Sequence, residues 1–130
     1  MDIGRREAIT GALALCVTRI ASASDDGEKT MFGLIGKMTA VPGQRDALIA
    51  LLLEGTQAMP GCLSYIVARD SKDENAIWIT EVWDSKENHG ASLTLPEVRA
   101  VITKAKPLIA GFGEGATTIP VGGVGLAIPA

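Results

Sequence analysis

The stretch TEVWDSKENH, Thr80–His89, holds one of the two tryptophans and the only histidine of this 130-residue chain. Trp83 closes an apolar, strand-like run, and His89 falls in what reads as the first turns of a helix. An indole offers a flat face to a planar ring. An imidazole takes or gives a proton near neutral pH. Two further residues belong with them. Period-two alternation in AIWITEVW puts Glu81 on Trp83's side of the strand, where a carboxylate orients His89 or pairs with a lysine or arginine. Tyr65, the only tyrosine, either donates to a ligand oxygen or packs at a seam between two copies. Trp83 and His89 also have plain readings, as a core tryptophan sealing helix against sheet and as an exposed helical histidine.

Other chemistry is harder to build. Cys62 follows a Pro-Gly turn and reads as a small buried filler. Arg69 and Arg99 read as solvated. With one histidine there is no two-histidine or Cys-His metal pattern. GFGEG, Gly111–Gly115, follows a helical pattern rather than a strand, the wrong context for a nucleotide loop. No metal or other cofactor is therefore expected. A net charge of −3 gives no basic footprint for nucleic acid, and 4% aromatic residues give no stacking platform. At 47% hydrophobic and 21% charged, the composition is that of a globular chain.

The first 23 residues read as a separate object. Arg5-Arg6, an apolar run from Ala8 to Val17, and Ala21-Ser22-Ala23 follow the order of a signal peptide with an A-x-A cleavage site. The paired arginines predict the twin-arginine route and an exported, periplasmic protein. The alternative is a cytoplasmic protein that starts at Met31. The run is too short for a permanent membrane anchor. Cleavage after Ala23 would leave Cys62 as the lone cysteine, so the fold must hold without an intrachain disulfide.

Behind a flexible lead-in, 24–30, the elements that must position the corner follow in order. MFGLIGKMTA predicts a strand. VPGQRD is a turn, and QRDALIALLLEGTQAM predicts a helix with a broad apolar stripe, ended by Pro60-Gly61. CLSYIVARD and AIWITEVW predict an antiparallel hairpin around the polar loop SKDEN. Asp84 or Ser85 caps a short helix, and Glu87 completes a capping box with Asp84. Pro96 opens a second helical segment reaching Phe112, and TTIPVGG predicts a last strand running into a Gly/Pro-rich tail, 120–130. The order β-α-β-β-α-β over 31–119 is the ferredoxin-like arrangement of an α+β domain: a four-stranded antiparallel sheet with helices on one face. Apolar residues on both faces of the strands predict a homodimer through the open face.

VPGQRDAL (Val41–Leu48), MPGCLSY (Met59–Tyr65), IWITEVWDS (Ile77–Ser85) and ENHGASLTLPEV (Glu87–Val98), in this order and spacing, resemble the antibiotic biosynthesis monooxygenase superfamily. The resemblance spans Met31 to Phe112 and implies a dimeric α+β barrel. The superfamily includes haem-degrading enzymes, quinol and polyketide oxygenases, isomerases and signal-processing enzymes. The haem branch uses an Asn, a Trp and a His at positions that align here with Gly36, Ser92 and Ile102, so no haem is expected. In the quinol and polyketide branch, the tryptophan ending the third strand and a Tyr or His six residues later line a substrate cleft. Those positions are Trp83 and His89. A second histidine common in that branch is Ser92 here, and an asparagine of one polyketide subgroup is Ile79.

The resemblance implies a cofactor-independent monooxygenase that oxidises a quinol-like or polyphenolic small molecule with dioxygen. Such chemistry needs an apolar pocket for a flat ring, one proton acceptor and one or two hydrogen-bond donors. His89 is the acceptor under this reading, and Trp83, Tyr65 and Glu81 bind the substrate. Two alternatives remain: a small-ligand-binding or stress-response module with the same pocket, and an isomerase or cyclase-like enzyme that uses His89 without oxygen.

Overall fold

A computed structural model describes residues 30–127. The expected leader, 1–23, and most of the lead-in lie outside the described residues. The elements are β1 Phe32–Ala40, α1 Arg45–Gly55, β2 Cys62–Arg69, β3 Ala76–Trp83, α2 Lys86–Ser92, α3 Pro96–Ala105, a 3-10 turn Lys106–Leu108 and β4 Ile109–Thr118. The strands form one antiparallel sheet in the order β2-β3-β1-β4. This is the α+β ferredoxin-like arrangement expected from the sequence.

The alternation read in AIWITEVW holds. Ile77, Ile79 and Trp83 are buried, and Glu81 shares their side of β3. Leu48 and Leu52 of α1 and Ala105 of α3 pack with Ile77 and Ile79, and Met38 of β1 joins them. A second cluster gathers Trp83, Met59 and Val98, with Phe32 and Leu95 against it. The opposite face carries Ile66, Trp78 and Lys37, whose ammonium lies 5.7 Å from the Trp78 ring centroid. The Trp78 indole N–H donates to Asp70 at 2.8 Å.

α1 stops at Gly55, short of Met59. Gly55 is the close approach of α1 to α3, because a Cβ there would run into the Val101 side chain. The Thr56 hydroxyl then donates to the Leu52 carbonyl at 2.6 Å, and Met59 leaves the helix to pack with Trp83 and Val98.

The C-terminal half departs further from the expected boundaries. α3 ends at Ala105 instead of running to Phe112, since Pro107 has no N–H to extend the helical ladder. GFGEG is not a loop after a helix but the middle of β4, paired with β1. Of the strand expected at TTIPVGG, only Thr117 and Thr118 belong to β4. The expected capping box also fails: Ser85 is the N-cap of α2, and its hydroxyl accepts from Asn88 N at 3.1 Å. With the cap at Ser85, Asn88 rather than Glu87 holds the position a capping box requires.

Candidate functional site

The corner at TEVWDSKENH is built by three local devices. Gly61 adopts φ +86°, and a Cβ there would meet Asn88 and Asp84, so glycine is needed both for the left-handed turn and for the close approach. Asp84 N donates to the Gly61 carbonyl at 2.9 Å, and Asn88 Nδ2 donates to Asp84 at 2.8 Å. These bonds tie the end of β3 and the start of α2 to the turn before β2. The Ser92 hydroxyl donates to the His89 carbonyl at 2.6 Å, and His89 sits in the middle of α2 with its ring turned back over the end of β3.

That ring meets Trp83 edge-on, with centroids 5.4 Å apart and planes at 74°. Phe32, the cross-strand neighbour of Trp83, also lies beside that ring, with centroids 5.3 Å apart and planes tilted by 39°. The Trp83 indole N–H donates to Glu81 Oε1 at 2.9 Å, and the same oxygen lies 4.0 Å from His89 Nε2. Both side chains are largely enclosed, with 23% of His89 and 17% of Glu81 exposed. Among the described residues, no lysine or arginine pairs with Glu81. Its carboxylate is held by the indole and faces the imidazole.

Trp83, His89, Glu81 and Tyr65 line one cavity of about 130 Å³. Tyr65 is not at an outer seam: it points toward the helices and packs against both hydrophobic clusters. Burial raises its phenol pKa above the ordinary value, and the Glu81 charge, followed by Cys62, adds to the effect. Leu52 of α1, Thr56 just after it, and Val98 and Val101 of α3 complete the walls. Cys62 packs against the Trp83 cluster, with its thiol donating to Ser64 O at 3.5 Å. Burial raises the thiol pKa, a smaller opposing effect comes from the Ser64 hydrogen bond, and Glu81 adds to the rise. Cys62 thus behaves as a filler rather than a nucleophile. Arg69 forms an exposed pair with Asp46 at 3.3 Å.

Phe32, which supports the His89 ring without lining the cavity, is a contact that sequence reasoning missed. It faces Trp83 across the β1–β3 ladder, so only the register between two distant segments could have revealed it. Another hollow, about 280 Å³, lies by the β1–α1 turn among Pro42, Arg45, Glu74 and Asn75. It has no aromatic wall, and its guanidinium is already committed to the Asp73 carbonyl at 3.0 Å.

Fold and cavity together define an α+β domain with an apolar, aromatic-walled pocket that has a few polar groups at one end, a form suited to a small molecule. Residues 31–104 match the antibiotic biosynthesis monooxygenase family, and the chain belongs to it. A Chloroflexus aurantiacus J-10-fl structure, provisionally named an antibiotic biosynthesis monooxygenase, is 64% identical, with 74% of this chain and 98% of that one covered and a TM-score of 0.72. A Pseudomonas aeruginosa protein is 21% identical over 72% of this chain and 96% of its own, with a TM-score of 0.63. A Caulobacter crescentus CB15 protein with the same provisional name is 16% identical over 76% and 95%, with a TM-score of 0.60. The last two share the fold. No curated protein matches the chain.

Proposed function

We propose that the protein is a cofactor-independent monooxygenase of a small phenol or hydroquinone. The observation that carries this reading is the convergence of His89, Glu81, Trp83 and Tyr65 on one apolar cavity. A hydroquinone is itself the reductant. Hydroquinone and dioxygen give hydroxyquinone and water: one oxygen atom enters the ring, the other leaves as water, and the ring supplies all four electrons. The protein's part is to bind the ring, remove a phenolic proton and exclude bulk water.

Each residue then has a role. The ring lies against the Trp83 side of the cavity. His89 accepts the phenolic proton, and the phenolate passes an electron to dioxygen. Glu81, 4.0 Å from Nε2, faces the imidazole and orients it for the transfer. Tyr65 remains a neutral phenol at working pH and donates a hydrogen bond to the substrate's oxyanion.

Oxygen uptake with a panel of hydroquinones tests this reading. Wild type should consume dioxygen, and His89→Ala should lose about 10²-fold in turnover, the low end for a lost general base. Undiminished uptake by His89→Ala removes the histidine from the mechanism. Binding without uptake favours a ligand-binding module.

A further inference from the structure

The cavity at Trp83 and His89 has a larger neighbour across one of its walls. Three of its wall residues, Leu52, Val101 and Ile102, also line a second hollow of about 600 Å³. This groove runs between α3, β1 and the first residues of β4, with Met38 and Ile109 in its floor and Phe112 at its outer edge. Phe112 is 75% exposed and Ile102 39%. Lys106 is the one charged side chain in the lining.

The two spaces differ in kind. The inner one holds the imidazole, carboxylate and phenol but has only about 130 Å³. A dry cavity of about 150 Å³ admits a benzene-sized guest, so the inner space suits one ring and is too small for a fused polycycle. The outer space is several times larger and offers almost nothing but hydrocarbon. A purely one-ring substrate would leave this apolar groove, which adjoins the site across Leu52, Val101 and Ile102, in water.

We infer that the substrate is a single-ring phenol or hydroquinone carrying an apolar side chain, with the ring at Trp83 and His89 and the chain in the groove beside Phe112. The inference rests on the reading of the site given above. It gives the groove a defined occupant, the hydrocarbon part of the same molecule. It also assigns selectivity to residues remote from the proton acceptor.

Isothermal titration calorimetry under anaerobic conditions, with methyl-, butyl- and octylhydroquinone below their aggregation concentrations, separates the possibilities. Burying one methylene is worth up to roughly a fourfold gain in affinity. For wild type, the Kd should therefore fall by roughly tenfold or more from the methyl to the octyl compound, even if only part of the chain is buried. Ala110→Trp fills the groove from an exposed strand position, and Phe112→Ser removes its outer edge. In both variants the ratio of methyl to octyl Kd should collapse toward one, with methylhydroquinone as each variant's internal reference. Three results overturn the inference. One is equal affinity for all three compounds in wild type, the result also expected if a second copy of the chain fills the groove. Another is a chain-length gain that survives both substitutions, which would place the chain elsewhere. The last is failure of every compound, methylhydroquinone included, to bind; that result alone also removes the one-ring reading of the inner cavity.

Discussion

The Tyr65 phenol is surrounded by groups that resist its ionisation. Loss of water at the base of the cavity is the larger influence, and the nearby Glu81 carboxylate is the next. Because the chain has a single tyrosine, ultraviolet titration of phenolate absorbance reports this residue alone. Its transition should lie above the ordinary tyrosine value of about 10 in the native protein and return to that value in denaturant. The sign for stability follows. The native state keeps the proton at a pH where the unfolded chain releases it, so the contribution is complete below about pH 10 and is lost as pH rises beyond it. A native transition at the free-tyrosine pH would mean that Tyr65 is solvated and unsuited to donate to an oxyanion. Glu81, Trp83 and His89 were legible at this scale because they lie within nine residues of one another and strand alternation fixes their side. Tyr65 was legible only as a type. Its place beside Glu81 depends on the β2–β3 register, and that of Phe32 on the β1–β3 register.

Among the elements, α2 bears most directly on the site. It has seven residues with a glycine inside, too few to be stable by helix propensity alone. It is held instead by the Ser85 cap, the Asn88–Asp84 bond and the packing of His89 against Phe32 and Trp83. Replacing Ser85 by Ala leaves Asn88 N without its acceptor and should cost about 1 kcal/mol in denaturant unfolding, with an unchanged m-value. An unchanged midpoint would show that the cap does not hold the helix. The hairpin of β2 and β3 could be read from sequence because each strand alternates cleanly between faces. β4 could not. Glycines at 111, 113 and 115 remove the side chains whose alternation announces a strand, and the pattern before Pro107 reads as continuous helix. That error also concealed the groove, since Ala110 and Phe112 were assigned to a helix end.

At the scale of the whole molecule, the helices among the described residues leave one sheet face without a helix over it. That face presents Ile66, 56% exposed, and Ile35, 37% exposed, along with the Trp78 ring under Lys37. Exposed isoleucines and a tryptophan on one face of a small domain favour self-association, and a homodimer built sheet to sheet is the expected state. Light scattering at micromolar concentration should give twice the chain mass, and Ile66→Lys should shift it toward the monomer. A wild-type monomer at that concentration rules the assembly out. Among the described residues, no helix is long and apolar enough to cross a membrane. The fold class was legible because the order of elements survives errors of several residues at their ends. Cavity volume was not, since it depends on how closely two helices approach.

That approach is set at Gly55. Leu52 and Thr56 stand on one side of the cavity, and Val98, Val101 and Ile102 on the other, so the α1–α3 gap acts as a caliper whose jaws meet where there is no side chain at all. Any larger residue at 55 would press on Val101 and open the jaws before it occupied the void. Substitution here therefore widens the aperture instead of narrowing it. A line of descent seeking a tighter pocket would have to change the walls, while one seeking a roomier pocket could reach it through a single Cα hydrogen.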